Sequence, residues 1–121
     1  MNNLKKILIV EDDEDDQFLL SEVFEGYSNV SLFFQDSCLK ALNAIGMESY
    51  DFVLVDFRLG VLDSHPVVRR LLELGIPFSI LSGSLEEEVK SELEDVFEEI
   101  KFWTKKEILG VPSRVMTLIE G

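Results

Sequence analysis

Carboxylates follow directly after two short apolar runs of the sequence. The run 7–10 is followed by Glu11 and Asp12, and the run 52–55 is followed by Asp56. Continuous apolar runs of this length are typical of parallel strands that are buried on both faces. Ligands of open parallel sheets bind beyond the carboxyl ends of the strands. We therefore expect three carboxylates to gather at one edge of a sheet.

Two further runs bring a hydroxyl and an ammonium group to the same edge. The run 78–81 is followed by Ser82, and the run 102–104 is followed by Lys105. An aspartate such as Asp56 can attack phosphorus and form an acyl phosphate. Transfer of a phosphoryl group depends on positioning and on cations that stabilise its charge. The combination indicates a site for a phosphoryl group and Mg²⁺.

Each member of this set has a role that its chemistry suggests. Glu11 and Asp12 offer the oxygen ligands that Mg²⁺ prefers. Lys105 offers a positive charge to a phosphoryl oxygen, and Ser82 can donate a hydrogen bond to another. Any one of these residues alone would more simply be a surface acid or a loop lysine. Their joint placement at strand ends, with Asp56 among them, favours the functional interpretation.

Apolar runs and amphipathic segments alternate along the whole chain. Strands are predicted near 6–10, 30–34, 52–56, 78–82 and 101–104. Helices are predicted near 14–25, 37–46, 65–74, 86–99 and 113–120. This alternation predicts an α/β fold, a doubly wound five-stranded parallel sheet of flavodoxin-like order 2-1-3-4-5 with helices on both faces. The second strand alternates at its start, which suits an edge.

The third predicted helix has clear start and end signals. Asp63 and Ser64 are both good N-cap residues, and Pro66 suits the first turn. Gly75 ends the helix, and Pro77 leads into the next strand. His65, beside the helix start, is expected to be solvated or to contribute to the cap.

Composition limits the class of protein. A length of 121 residues predicts a single domain, 1–121. We expect no signal peptide and no membrane span. The one cysteine, Cys38, cannot form an internal disulfide, and the cytoplasm is the expected compartment. A net charge of -13 repels the backbone of nucleic acids, so we expect no direct binding of DNA or RNA.

Four segments carry a resemblance to a known family. They are 7–16 with its acidic cluster, 50–56 ending at an aspartate, 77–83, and 102–105 ending at a lysine. Together they resemble the receiver domain of two-component response regulators, over the whole length of the chain. The resemblance implies a CheY-like signalling domain of a phosphorelay that phosphorylates and dephosphorylates itself, and not a turnover enzyme.

The resemblance also implies a set of metal ligands. Asp12 would contact Mg²⁺ directly and Glu11 would act largely through water. Asp56 and the backbone carbonyl of Arg58 would supply further ligands. The side chain of Arg58 has an alternative placement, over the site, where it would modulate the access of water.

The remaining implied roles concern transfer and signalling. Asp56 would accept the phosphoryl group from a histidine kinase or a histidine phosphotransfer protein, with Lys105 and Ser82 contacting it. Ser82 and Phe102 would form the switch that a downstream protein partner reads. Signal output, phosphate shuttle and phosphate sink remain open as roles.

The sequence departs from the family pattern in two places near the expected site. Gly60 and Val61 stand where a Pro-Gly pair is usual, and Lys106 stands where a proline often follows the lysine. Asp12 and Asp13 form an alternative acid pair, but the end of the apolar run at residue 10 favours Glu11 with Asp12.

Two other functions compete with this interpretation. One is an interaction module of the same fold that acts without phosphorylation, which the intact set of site residues argues against. The other is an aspartyl-phosphate hydrolase of the haloacid-dehalogenase type. That class requires its nucleophile after the first strand in an Asp-x-Asp pattern, and the chain has Glu11 at the start of that acidic segment instead.

Overall fold

The computed structural model describes residues 4–59, 62–82 and 101–104. The strands, in chain order, are β1 (Lys5–Val10), β2 (Val30–Gln35), β3 (Phe52–Asp56), β4 (Arg58–Leu59), β5 (Leu62–Asp63), β6 (Phe78–Ser82) and β7 (Lys101–Thr104). The helices are α1 (Glu14–Val23), α2 (Cys38–Met47) and α3 (His65–Leu74). Five strands form a parallel sheet in the order β2-β1-β3-β6-β7.

This architecture confirms the predicted fold class. The sheet has the predicted order, and each of its strands lies within one residue of its expected bounds. The first three helices are also present, although α1 ends earlier than expected. The helices predicted near 86–99 and 113–120 lie outside the described residues.

Apolar side chains cover both faces of the central strands. β3 is buried at every position and β1 at its last four. One cluster joins the sheet to α2 and α3 and includes Leu8, Val10, Ala41, Ile45, Val53, Val55, Val67, Val68, Leu71 and Ile80. A second cluster joins the opposite face to α1 and includes Ile7, Ile9, Leu20, Phe24, Phe52, Leu54 and Leu81. Burial on both faces explains why these strands read as continuous apolar runs.

Strand β2 lies at the edge of the sheet, as its sequence pattern predicted. All six of its residues are half-buried. It pairs with β1 in parallel register from Lys5 opposite Val30 to Val10 opposite Gln35. The edge position explains the difference from β3, because an edge strand has a neighbour on one side alone.

Side chains cap the first two helices. The Asp13 carboxylate accepts the Asp16 N–H at 3.0 Å, and the Ser37 hydroxyl accepts the Lys40 N–H at 3.2 Å. Each bond satisfies a backbone donor that the first turn leaves without a helical partner. α2 begins at Cys38, which is half-buried.

The start of α3 differs from the predicted cap. Ser64 occupies the N-cap position, but its side chain makes no capping hydrogen bond. Its φ of -81° and ψ of 6° depart from the extended conformation in which a cap hydroxyl reaches the first turn. Asp63, the other expected cap, lies in β5. Pro66 is in the first turn as predicted, and the His65 Nε2 accepts a hydrogen bond from the Arg69 Nε at 3.1 Å.

A small polar and aromatic cluster lies at the amino-terminal edge of the sheet. The Lys6 ammonium lies 3.8 Å from a Glu48 oxygen and 5.8 Å from the centre of the Phe33 ring. The Tyr50 ring meets Phe33 edge-on at 5.8 Å. Burial, followed by the nearby charge of Glu48, raises the pKa of Tyr50 above 10.0. This edge is the opposite end of the strands from the carboxylates.

The described segment between β3 and α3 contains an element that the sequence did not predict. β4 and β5 form a two-stranded antiparallel pair, in which Arg58 lies opposite Asp63.

Among the described residues, none of the helices has the length and apolar character that crossing a bilayer requires.

Gly75 and Gly46 provide a matched test of the helix ends. Gly75 ends α3 in the left-handed region with φ 69°, whereas Gly46 lies within α2, and an added Cβ meets nothing within 4 Å at either position. We expect Gly75→Ala to lower the free energy of unfolding by roughly 1 kcal/mol, because alanine strains there. Gly46→Ala should raise it by about 0.5–1 kcal/mol, because glycine is a poor helix former.

Urea denaturation of the two variants measures both changes. Two effects of the same sign would contradict the assigned backbone conformations.

Candidate functional site

Three carboxylates meet at the carboxyl edge of the sheet. Oxygen atoms of Glu11, Asp12 and Asp56 all lie within 4.8 Å of one another. Glu11 is 1% exposed and Asp56 is 6% exposed, whereas Asp12 is exposed to solvent. The structure therefore brings together the three acids that the sequence analysis assigned to a metal site.

The end of β1 fixes the backbone at Glu11. The Glu11 N–H donates to the Gln35 carbonyl at 2.9 Å, which extends the pairing with β2 by one residue. The Gln17 side chain donates from Nε2 to the Glu11 carbonyl at 2.6 Å, so α1 holds the strand end from the other side. The Glu11 carboxylate also accepts the Asp13 N–H at 3.4 Å, a long contact.

The first turn of α1 separates the two possible acid pairs. Asp13 uses its carboxylate as the N-cap of α1, where it accepts the Asp16 N–H. Glu11 and Asp12 are the residues that approach Asp56. The geometry thus favours the pair Glu11 and Asp12 over Asp12 and Asp13.

Asp56 is positioned by the central strand of the sheet. It is the last residue of β3 and lies opposite Leu81 of β6. The next residue, Phe57, has no exposed surface, and its N–H donates to the Leu81 carbonyl at 3.2 Å. Burial of Phe57 anchors the chain directly after Asp56. The Asp56 carboxylate therefore projects from a backbone that is packed before and after it.

The chemistry of this site follows from its oxygen atoms. Carboxylate oxygens at this spacing are suited to a hard divalent cation, which tolerates some water in its coordination shell. Exposure of Asp12 leaves room for such water. Without a counterion, three negative groups within 4.8 Å repel one another. The group can thus bind a divalent cation, and Asp56 presents a nucleophilic oxygen at the same place.

Three of the other predicted site residues lie on three described strands. Ser82 is the last residue of β6, at the same edge of the sheet as Asp56, and its backbone lies opposite Thr104. Phe102 lies in β7 opposite Ile80. Arg58 begins β4, two residues after Asp56. Lys105 lies outside the described residues.

Sequence reasoning missed two residues that support the site. Gln17 holds the Glu11 carbonyl, and Phe57 anchors the chain after Asp56. A weak signal existed for Phe57, since a large apolar residue directly after a strand-end acid implies burial. Gln17 gave no signal, because its role depends on the angle at which α1 leaves the sheet.

Comparison with solved structures identifies the fold. No protein-family model matches the sequence, and no curated protein matches it significantly. The chain superposes on the Salmonella typhimurium RcsB response regulator, solved in a study of its conformational dynamism for DNA interaction, with a TM-score of 0.80 and 13% identity. That match covers 99% of this chain, which spans 61% of the RcsB chain.

Two shorter proteins match over most of both chains. A response regulator receiver domain (CheY-like) from Methylobacillus flagellatus gives a TM-score of 0.75 and 24% identity, over 96% of this chain and 98% of that one. The Mn²⁺-bound form of response regulator Rcp1 gives 0.71 and 22%, over 90% and 92%. The chain has the fold of response-regulator receiver domains.

Removal of one charge from the acidic group should stabilise the cation-free protein. Asp12→Asn lowers the repulsion among the three carboxylates, and roughly 1 kcal/mol, or about 4 °C in melting temperature, is the expected gain. The measurement is thermal denaturation in EDTA. Millimolar Mg²⁺ should raise the melting temperature of the wild type and should have a much smaller effect on the variant.

Glu25→Gln is the control, because it removes an exposed acid remote from Asp56. An equal response of both variants, in EDTA and in Mg²⁺, would show that the carboxylates do not interact as described.

Proposed function

We propose that this chain, which has the receiver-domain fold, is the phosphoacceptor of a two-component phosphorelay. In this proposal Asp56 takes a phosphoryl group from a phosphohistidine donor. The donor would be a histidine kinase or a histidine phosphotransfer protein, and the change would be read by a downstream protein. The receiver is a signalling domain in this account, and not an enzyme that turns over small substrates.

One observation carries the proposal: Asp56 lies within 4.8 Å of two further carboxylates at the carboxyl edge of the sheet. A buried aspartate at the end of a central strand has no structural need for acidic neighbours, because their repulsion destabilises the fold. In a site for a cation and a phosphoryl group, the neighbouring carboxylates would bind the cation. The receiver fold of the chain supports the same interpretation.

The transfer step that we propose is a substitution at phosphorus. A carboxylate oxygen of Asp56 attacks the phosphorus atom, and the bond between phosphorus and the donor imidazole nitrogen breaks. The nitrogen keeps the electron pair of that bond, and Asp56 becomes an acyl phosphate. Hydrolysis of this acyl phosphate returns the carboxylate and releases inorganic phosphate.

The carboxylate group fits a divalent cation, which we propose to be Mg²⁺. We assign its ligands to Asp12 and Asp56 directly, to Glu11 largely through water, and to the backbone carbonyl of Arg58. When bound, the cation would offset the negative charge of the phosphoryl oxygens. Support comes from the oxygen donor set and from the Mn²⁺-bound form of the structurally similar Rcp1. Exposure of Asp12 would let the cation exchange with solvent.

Two residues complete the proposed contacts to the phosphoryl group. Ser82, at the end of β6 beside Asp56, would donate a hydrogen bond from its hydroxyl. Lys105 would place an ammonium group near another phosphoryl oxygen. Both roles are assigned from sequence position, since Ser82 ends β6 and Lys105 directly follows β7.

We also propose a class of downstream partner and a cellular compartment, from the charge and the cysteine content of the chain. The downstream partner is a protein and not a nucleic acid, because a net charge of -13 repels phosphate backbones. The single Cys38 and the acidic composition suit the cytoplasm. Residues 1–121 act as a single receiver domain in this account.

Phosphorylation of Asp56 can be measured by intact mass spectrometry. Incubation with acetyl phosphate and Mg²⁺ should add one phosphate to the wild type, because the small donor replaces the phosphohistidine. Asp56→Asn should show no adduct, and EDTA should suppress the adduct of the wild type. The matched control is Asp36→Asn, an exposed acid paired with Lys40, which should retain the full adduct.

An undiminished adduct in Asp56→Asn would remove the phosphoacceptor assignment. A folded wild type without any adduct would favour an interaction module that acts without phosphorylation. Steady hydrolysis of para-nitrophenyl phosphate would instead favour a phosphohydrolase.

The switch gives a separate prediction about Ser82 and Phe102. A phosphoryl group on Asp56 should draw the Ser82 hydroxyl toward it through a charge-assisted hydrogen bond. Because Phe102 has no hydroxyl to fix either rotamer, we expect the ring to change its population and not to lock in one state. Side-chain NMR spectra with and without beryllofluoride and Mg²⁺ report both residues. Unchanged signals from both would mean that the signal leaves the site by another route.

A further inference from the structure

A groove runs between α1 and the edge strand β2, in the half of the sheet remote from the carboxylates. Its volume is about 520 Å³, within the range of binding pockets. Polar and apolar residues line it together, and the apolar and aromatic ones are Phe18, Phe24, Tyr27, Val30 and Leu32. Phe18 is 62% exposed, an unusual position for a phenylalanine on a helix with a covered face.

The backbone of β2 is available along the same groove. The Asn29 carbonyl accepts the Lys5 N–H, and the Gln35 carbonyl accepts the Glu11 N–H, so alternate residues of this segment bond to β1. In a parallel ladder the residues between them direct their N–H and C=O groups away from β1. Leu32 and Phe34 are two such residues, and no strand of the described chain lies beyond β2.

One added strand could therefore contact both the side chains and the outward backbone groups of β2. Leu32 and Phe34 pack on the α1 side of the sheet, and their outward backbone groups lie in the plane of the sheet. An extended segment added beside β2 would bond to these groups. Its alternate side chains would enter the groove and contact Phe18 and Tyr27.

The acidic residues of the groove indicate which side chains an added strand would carry. Glu22 and Glu25 line the groove, both are exposed, and no basic residue in the described part of the chain lines it. A basic side chain on the added strand would lie against these acids. A second copy of this chain would instead bring the same two acids to the same place, because a twofold contact repeats the patch on both partners. The repulsion disfavours self-association through this groove.

We propose that the α1–β2 groove binds an extended segment of a partner protein, in which a large apolar residue has a lysine or arginine two residues away on the same face of the strand. The segment adds a strand to β2, places its apolar side chain against Phe18 and Tyr27, and pairs its basic side chains with Glu22 and Glu25. This surface is distinct from the site at Asp56 and does not depend on phosphorylation.

The test uses the synthetic peptide acetyl-Ser-Arg-Thr-Leu-Thr-Arg-Ser-amide, which places arginine, leucine and arginine on one face of a strand. Titration into the ¹⁵N-labelled chain should shift the amide signals of Leu32 and Phe34. The double variant Glu22→Lys, Glu25→Lys should weaken binding by roughly tenfold or more, as should Phe18→Ala. Glu73→Lys, on α3 at the opposite face, should bind as the wild type does.

The same titration provides the outcomes that would overturn the proposal. A peptide with glutamate in place of both arginines should bind much more weakly, and equal binding would exclude selection by charge. Peptide shifts that leave Leu32 and Phe34 unchanged would exclude strand addition. Shifts of these amides that grow with protein concentration in the absence of peptide would assign the groove to a second copy.

Discussion

Repulsion among three carboxylates is the constraint around which the rest of the structure is arranged. Oxygen atoms of Glu11, Asp12 and Asp56 lie within 4.8 Å, an arrangement that costs free energy in the absence of a cation. The cost is offset by the apolar strands that carry them, since β1 and β3 bury nearly every side chain on both faces of the sheet. The apolar core thus supports a site in which three carboxylates lie close together.

Residues that fix the backbone lie directly beside the carboxylates of the site. Phe57 has no exposed surface and follows Asp56 directly, while Gln17 holds the carbonyl of Glu11 from α1. Both contacts restrict the backbone on either side of the carboxylates. A cation bound by these carboxylates would relieve the repulsion without repacking of the sheet, and Asp12 is the one of the three that is exposed to solvent.

Sequence reasoning identified the sheet because burial on both faces leaves continuous apolar runs, and its order followed from the strand–helix alternation. The grouping of Glu11 and Asp12 with Asp56 followed from the strand ends. The β4–β5 pair was missed because two-residue strands carry no periodic pattern. The missing cap hydrogen bond of Ser64 depended on a local backbone angle, and the α1–β2 groove depended on how a helix lies over an edge strand. These are tertiary properties that no local pattern encodes.

A crystal structure grown with Mn²⁺ and beryllofluoride would test the central claim most directly, because the anomalous signal of manganese locates the cation independently of the protein atoms. The account predicts one manganese peak beside Asp12 and Asp56, and beryllofluoride attached to a carboxylate oxygen of Asp56. A manganese peak elsewhere, or beryllofluoride on another residue, would contradict the assignment of this group of carboxylates as a cation-dependent phosphoacceptor site.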